Sequence, residues 1–386
     1  MSRYQSFSGN YPYYDNQPLS ALIKVSVQDV LEDYRFSGGF RIPNKLTGSE
    51  YFLAFDDLSK RLDYRLLFYT ETEARGFDFS TATPPWYNPV YGKLKTNLFE
   101  YDARYPIDYT KRINASIGFR QQKIVFQATD TFSLNQLQTP YREDWAMARV
   151  EYVFDNTIPV QLNIYDGTRY KFYFDAQKML NQKNTMSYVL GTDIRHYLRI
   201  HRSLVLAARV SAATSFGSAK VLYYLGGVQS WYPPSFDSQT KVDDQTNYYF
   251  QALATNLRGF PQNVRNGTSY ALTNLELRFP VFSYLINTPI RSEVIKNFQL
   301  VPFFDMGTAW EGGSPYSSDN PFNTNSVTQG PVNVHVNYYR EPMVYGYGAG
   351  VRTMLFGYFI RLDYAWGVDS GARLSPIFYF SLSKDF

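Results

Sequence analysis

Apolar and polar residues alternate with a period of two over segments of about ten residues, and turn-rich stretches separate the segments. In Tyr34–Ile42, for example, Phe36 falls on one face and Arg35 on the other. Successive side chains of a β-strand point to opposite faces, so the pattern predicts antiparallel β-strands. The same pattern recurs in Ile113–Arg120, Ala146–Asp155, Tyr170–Gln177, Met186–His196, Leu204–Ser215, Tyr270–Val281, Tyr358–Trp366 and Ile377–Phe386.

The number of these segments predicts one large barrel. About fifteen of them lie within residues 21–386, and single-chain bacterial barrels have an even number of strands. We therefore predict an all-β fold, a single transmembrane antiparallel β-barrel of about 16 strands that fills residues 21–386. Residues 1–20 are predicted to be an N-terminal linker or a remnant of the first strand, because Gly9–Pro18 is rich in turn residues. No segment predicts a helix.

Composition favours a barrel over a soluble β-sandwich, which also alternates. Aromatic residues make up 18% of the chain, with 35 Tyr and 30 Phe, as the aromatic girdles of a membrane barrel would require. No run of about 18 apolar residues is present, which excludes a transmembrane helix. The mean hydropathy of -0.35 still fits a membrane barrel, because its strands alternate lipid-facing and lumen-facing residues.

The sequence contains no convincing constellation for catalysis or for a cofactor. Cysteine is absent, and the three histidines, His196, His201 and His335, are not at metal-ligand spacing. The net charge of +4 is spread along the chain instead of forming a basic patch, which argues against nucleic acid as a partner. We expect neither an enzyme nor a bound cofactor or metal. The chain opens without an apolar leader, so we interpret it as a fragment or mature form of a longer precursor.

Two long connections, residues 217–267 and 311–342, separate the C-terminal strands, and loops of this length are usually functional or disordered. The first carries the segment Leu257, Arg258, Gly259, Phe260. It is followed by Thr273–Pro280 and then by Phe303–Trp310. Taken alone, Arg258 is best interpreted as an ordinary loop arginine. The ordered combination of the segments is far less common.

In this combination the chain resembles the C-terminal transmembrane barrel of the BamA/TamA/FhaC superfamily of outer-membrane assembly and translocation proteins, of the bacterial surface antigen type. The resemblance is strong over residues 224–386. It implies a long lid loop folded into the lumen, with Leu257–Phe260 at its tip. Arg258 would pair with carboxylates on the next two strands, Glu276 and Asp305, beside Phe303. Glycines of Gly346–Gly350 would then smooth the lumen wall near the folded-in loop.

The same resemblance implies a C-terminal barrel signal in the last strand, made by Phe380, Leu382 and Phe386. Lys384 departs from that signal, since an apolar or aromatic residue is usual at its position. The last strand, predicted as Ile377–Phe386, would form one side of a weak seam with the first strand. Its unpaired backbone groups could accept a client strand.

The resemblance also implies a function in the bacterial outer membrane. The barrel would assist the assembly or insertion of outer-membrane proteins, or the translocation of polypeptide to the surface. Its partners would be the outer-membrane lipid bilayer, an unfolded or folding client polypeptide, and a periplasmic module or accessory subunits. The residues leave open an insertase, a secretion pore and an anchor for a periplasmic domain. The alternatives are a passive, porin-like diffusion channel and a soluble secreted β-protein.

Overall fold

The computed structural model describes residues 4–7, 14, 20–43, 48–77, 90–127, 140–243, 246–318, 320–329, 332–337 and 340–386. Its strands are β1 Gln5–Ser6, β2 Ser20–Gln28, β3 Tyr34–Pro43, β4 Ser49–Asp57, β5 Asp63–Phe77, β6 Val90–Pro106, β7 Lys111–Gln127, β8 Tyr141–Asp155, β9 Ile158–Gln161, β10 Ile164–Met179, β11 Met186–His201, β12 Leu204–Gly217, β13 Lys220–Leu225, β14 Tyr248–Ala254, β15 Arg265–Gly267, β16 Ser269–Arg278, β17 Gln299–Trp310, β18 Thr324–Gln329, β19 Val332–Asn337, β20 Val344–Leu355, β21 Tyr358–Asp369, β22 Ala372–Arg373 and β23 Ile377–Ser381. The two short helices are α1 Val281–Leu285 and α2 Glu293–Lys296.

One antiparallel sheet curves round into a barrel and forms the wall. It contains seventeen of the strands, of which β9 and β22 are short strands that pair with β10 and β21. The remaining fifteen follow the chain from β2 to β23, and each pairs with its neighbour. Within the described residues, no ladder joins the two end strands β2 and β23. The predicted all-β barrel is confirmed.

The wall has the polarity of a membrane barrel. On β10 the side chain of Asp175 is 3% exposed while its neighbour Phe174 is 41% exposed, and on β21 Asp363 is 1% exposed beside Tyr364 at 45%. Apolar residues thus face outward and charged residues face the lumen, the reverse of a soluble sheet with its polar face in water. In the described part of the chain, no helix is long and apolar enough to cross a bilayer.

A second, four-stranded sheet lies inside the barrel, in the order β1, β14, β13, β15. Three of its strands come from the long connection between β12 and β16. The fourth is β1, near the N-terminus, which pairs with β14. Residues 5–6 therefore belong to the inner sheet and not to the wall, unlike the predicted remnant of a first strand. The core between this sheet and the wall contains Trp145, Val189, Val221 and Phe250.

The connections contain regular structure that the sequence analysis did not predict. The long connections are not structureless: the first supplies β13 to β15, and the second contains the hairpin of β18 and β19, which includes His335. Helices α1 and α2 lie between β16 and β17, where no helix was expected. The connections that follow β12 and β17 lie at the same end of the barrel, and the connection with α1 and α2 lies at the other end, where most other turns are short. Short turns mark the periplasmic end of such barrels, so the lid enters from the extracellular end.

The prediction of one continuous last strand, Ile377–Phe386, is also wrong. Strand β23 ends at Ser381, and the residues after it turn into the lumen. Phe386 is 7% exposed and packs among buried side chains of the wall, including Tyr197. The ion pairs of Asp385 with Arg352 and Arg361 explain the turn, because they draw the tail inward. Phe386 therefore does not extend the outward row of a strand beyond Phe380 and Leu382.

Candidate functional site

The candidate site is formed where the long connection meets the inside of the wall. We call residues 218–268 the lid and Leu257–Phe260 its tip. The lid folds on itself: the N–H of Leu257 donates to the carbonyl of Gly227 at 2.9 Å, and that of Val264 donates to the carbonyl of Leu225 at 3.0 Å. Leu257 and Phe260 are fully buried in a cluster with wall residues Leu272 and Val344. These apolar contacts hold the tip deep in the lumen.

Glycines on both sides of the contact allow the tip to approach the wall. Gly259 has a φ of +94°, a conformation that side chains with a Cβ rarely adopt. On β20, a Cβ at Gly346 would lie 1.8 Å from the carbonyl oxygen of Arg258. On β21, a Cβ at Gly367 would lie 2.4 Å from the carbonyl oxygen of Gly259. Any larger residue at these wall positions would exclude the tip.

Arg258 reaches Asp305 on β17 in a two-pronged arrangement. Its Nε donates to Asp305 Oδ2 at 2.6 Å and its Nη2 donates to Oδ1 at 2.8 Å, while its backbone N–H donates to Oδ2 at 3.0 Å. The guanidinium also lies over the ring of Phe303, 3.6 Å from its centroid. Paired, charge-assisted hydrogen bonds of this kind fix both position and orientation. The tip is therefore held in one register on β17.

Asn274, which the sequence-based reasoning did not select as a partner, completes the cradle of Asp305. Its Nδ2 donates to Asp305 Oδ1 at 2.7 Å and to the lid carbonyl of Asn256 at 2.6 Å. The same carboxylate thus accepts from the lid and from the wall. Asn274 lies on the polar face of β16, two residues before Glu276, and this spacing was its only signal in the sequence.

Two further carboxylates approach Arg258. Its Nη1 lies 2.8 Å from Glu276 Oε1 on β16, an ion pair that is not aligned as a hydrogen bond, and 3.7 Å from Asp363 Oδ1 on β21. Arg258 therefore contacts carboxylates on three wall strands. It is completely buried, and the three acidic side chains are 0% exposed. The predicted lid residues and their predicted partners Glu276, Phe303 and Asp305 lie together.

The ion pairs continue from the tip towards the C-terminal tail. Arg278 donates to Glu276 Oε2 and to a main-chain oxygen of Phe386. Arg352 lies 2.8 Å from both Asp363 and Asp385, and Arg361 bridges the same two carboxylates at 3.5 and 2.9 Å. We call these eight side chains the charge network: Arg258, Glu276, Arg278, Asp305, Arg352, Arg361, Asp363 and Asp385. These side chains carry four positive and four negative charges, and they are buried from solvent.

Such a network favours one arrangement strongly without adding much net stability. Burying an ion pair carries a large desolvation penalty, yet removing one partner destabilises by about 3–5 kcal/mol, because the other charge remains buried and unpaired. A lid shifted by one residue would place the guanidinium away from Asp305 and leave several charges unpaired. The network therefore selects the register of the docked lid.

The lid also binds the last wall strand. On β23, the hydroxyl of Tyr379 accepts from the N–H of Gly259 and donates to the carbonyl of Phe260, both at 2.8 Å. The N–H of Tyr232 donates to the carbonyl of Phe380 at 2.9 Å, and Trp231 forms an antiparallel bridge with Ser381. The lid is thus hydrogen-bonded to the end strand of the barrel. Sequence reasoning missed Tyr379, which alternation placed on the polar face of that strand.

His196 and His201 form ordinary polar contacts. His196 Nδ1 lies 2.8 Å from Thr168 Oγ1 on the neighbouring strand, and His201 Nδ1 lies 2.7 Å from the hydroxyl of Tyr284. In the described part of the chain, no group of three or more His, Asp or Glu side chains could hold a metal ion.

Comparison with known proteins agrees with this architecture. A family model described as the Omp85 superfamily domain matches residues 12–386. Among solved structures, BamA from Haemophilus ducreyi lacking POTRA domains 1-3 is similar, with 12% identity and a TM-score of 0.56 over 95% of this chain and 67% of that chain. CdiB from Acinetobacter baumannii has 10% identity and a TM-score of 0.50 over 94% of this chain and 56% of that chain.

CdiB from Escherichia coli is similar to the same degree, with 11% identity and a TM-score of 0.50 over 94% of this chain and 58% of that chain. At such identities the likeness is one of fold. The chain spans less than two thirds of the length of either CdiB. No curated protein matches the sequence.

Proposed function

Since the chain belongs to the Omp85 superfamily of outer-membrane β-barrels, we propose that it inserts polypeptide into the outer membrane or passes it across, and that its lid keeps the lumen closed between clients. The observation that carries the proposal is the position of Arg258, which contacts carboxylates on three wall strands at once. The ion pairs of this buried guanidinium hold the lid reversibly. They are strong when the wall strands are in place and weak once the strands separate.

The contacts with β23 support a coupling between the lid and the seam of the barrel. Tyr379 and Phe380 of this strand bind the lid, and Asp363 lies on the neighbouring strand β21. Movement of the last two strands would therefore pull on the lid and on the charge network together. A client strand that pairs with the end strand would supply that movement, because strand addition satisfies exposed backbone groups. The binding and folding of the client would drive the cycle.

The lumen charges argue for a closed lumen over a passive channel. A porin would use such charges to line a water-filled passage. Here Arg361 and Asp363, which the porin alternative would need in the passage, pair with other members of the charge network and are about 1% exposed. The tip of the lid approaches Asp363 through Arg258. A passive diffusion channel does not require a lid arginine that pairs with Asp305.

Conductance in planar bilayers tests whether the lumen is closed by the lid. We expect a small, flickering current for the wild type and a larger or steadier current for Arg258→Ala. Arg373→Ala is the matched control, because Arg373 is exposed on β22. A large, steady current that does not depend on Arg258 would refute the closed lumen and favour the diffusion channel.

A second experiment tests polypeptide handling. A disulfide between Trp231→Cys and Ser381→Cys would tie the lid to the last strand at their bridge, and the chain has no other cysteine. The probe is an eight-stranded outer-membrane barrel that has been unfolded in urea. It is diluted into a suspension of liposomes that contain the protein. We expect faster insertion of the probe with the reduced variant than with the oxidised one. Equal rates in both states, at the level of empty liposomes, would refute an insertion function.

A further inference from the structure

The inner sheet has an edge strand, β14, to which the N-terminal segment adds one short strand. Gln5 faces Gln251 and Ser6 faces Phe250 in antiparallel register, and the N–H of Phe7 donates to the carbonyl of Tyr249 at 2.9 Å. The paired residues are distant in the sequence and belong to no common turn. Residues 4–7 are thus held on the lid as a separate extended peptide would be.

One side chain of this segment is deeply buried in the wall. Tyr4 is 8% exposed, and its hydroxyl donates to Asp175 Oδ2 at 2.6 Å. Its carbonyl accepts from Arg120 Nη1 at 3.0 Å. Its ring packs with the core residues Trp145 and Phe250. Tyr4 therefore occupies a pocket that is apolar along the ring and charged at the end.

The next residues show the alternation of a bound strand. Ser6, two residues after Tyr4, also faces the wall, where its hydroxyl accepts from the side chains of Gln122 and Arg120. Gln5 lies between them and accepts from Gln251 Nε2 at 3.3 Å. Main-chain pairing combined with pockets for alternate side chains is the physical pattern of peptide recognition by strand addition.

We propose that the edge of β14 and the Tyr4 pocket form a lumenal docking site for an extended, tyrosine-bearing segment of a client polypeptide, a site that Tyr4–Phe7 occupies in cis. This inference rests on the proposed function, since it names where a client would first bind. The occupant is easily displaced, because β1 has two residues whereas β14 has seven. A client strand that pairs along more of β14 would compete successfully.

The pocket prefers tyrosine over phenylalanine. Asp175 is also held by Arg149, whose Nη1 donates to both of its oxygens at 3.1 and 2.9 Å. The carboxylate is therefore fixed in place and presents an oxygen towards the ring. A phenol hydroxyl satisfies that oxygen with a charge-assisted hydrogen bond, whereas a phenyl ring leaves it without this donor.

The test uses a fluorescent peptide with the sequence of residues 2–9, SRYQSFSG, and fluorescence anisotropy in detergent. The full chain is compared with its Tyr4→Ala variant, in which the occupant in cis is weakened. We expect the peptide to bind Tyr4→Ala about tenfold more tightly than the wild type, because the apparent affinity falls in proportion to the fraction of sites that a competitor leaves free. A peptide with Phe in place of its Tyr should bind about tenfold more weakly, through the lost hydrogen bond to a charged group.

A locked variant provides the control. A disulfide between Gln5→Cys and Gln251→Cys, which face each other across the ladder, would fix the segment on β14. The oxidised form should not bind the peptide, and the same protein after reduction should bind it. A difference in electrophoretic mobility between unheated and heated samples verifies that each variant is folded. Equal binding by the oxidised and reduced forms, or no binding by Tyr4→Ala, would overturn the proposal.

The two proposals fail separately. Peptide binding is measured without any transport, so intact binding together with a negative liposome assay would remove the proposed function and leave the docking site. A positive, lock-dependent liposome assay without peptide binding would remove only the docking site.

Discussion

Replacement of Arg258 by alanine is the sharpest perturbation of the docked lid. The change removes two hydrogen bonds to Asp305, the 2.8 Å contact with Glu276 and the stacking on Phe303. The ladders of the wall do not use this side chain and stay intact. We therefore expect a folded barrel with a released lid.

The magnitude follows from the burial of the charges. Without Arg258, four carboxylates of the charge network would face three arginines, all of them buried. Removal of one partner of a buried pair destabilises by about 3–5 kcal/mol. At about 4 kcal/mol, the population with an open lid would rise about a thousandfold, since each ~1.4 kcal/mol is a factor of ten.

A single cysteine reports the opening. Ala254 is 2% exposed at the end of β14 in the lid, and Ala254→Cys introduces the only thiol of the chain. Its rate of labelling by a maleimide measures the fraction of time that the lid is open. We expect a rise of about two to three orders of magnitude with Arg258→Ala. The rate should not change with Arg373→Ala.

The double variant distinguishes the proposed ion pair from a general loosening. If Arg258 and Asp305 act on each other, Arg258→Ala/Asp305→Ala should open the lid much less than the sum of the two single changes, because neither charge is left alone. Additive effects would refute the pairing, and so would a labelling rate of Arg258→Ala within threefold of the parent.

Three further changes test the other contacts of the lid. Tyr379→Phe removes the hydroxyl that bonds to two backbone groups of the tip, and the lid should open about tenfold more often in the same labelling assay, at about 1–3 kcal/mol for buried groups left unpaired; an unchanged rate would contradict the contact. Gly346→Val places a Cβ 1.8 Å from the carbonyl of the tip arginine and should expose the lid as fully as loss of that arginine, whereas Gly313→Val, with nothing within 4 Å, should have no effect. Asp385→Asn weakens two ion pairs and should speed release of Phe386 by a carboxypeptidase; unchanged release would mean that other contacts hold the tail.

Alternation predicted the wall because every wall strand has one face in lipid and one face in the lumen. The pattern is therefore present locally in each strand. Strand β11 illustrates its limit: the pattern predicted Met186–His196, and the strand continues to His201. His196 lies on the exposed face and Tyr197 on the buried face, which interrupts the alternation before Leu198 and Ile200 resume it, so the predicted segment stops short of the end of the strand. The existence of the strands was predictable, but their lengths were not.

The inner sheet was not predictable, since its pairings are non-local. Strands β13 and β14 are parallel and joined by a connection longer than 20 residues, and β1 pairs with a strand more than 240 positions away. A strand as short as Gln5–Ser6 has no period to detect. In the C-terminal tail, alternation placed Asp385 on the polar face correctly, but it cannot reveal that two arginines draw this residue inward.

The charge network and the last strand meet at the lid, and this makes their coupling testable. Ser381 is 1% exposed at the end of β23, where it bridges to the lid at Trp231. If the lid and the strand edge move together, a thiol at Ser381→Cys should become accessible in Arg258→Ala by the same factor as the thiol at Ala254→Cys. No contact of Arg258 involves Ser381, but a wall route also exists, since Asp363 pairs with Arg361 and Arg361 faces Ser381 in the ladder between β21 and β23. A rise at Ala254 without a rise at Ser381 would show that the lid moves alone, and the seam would then need a separate trigger.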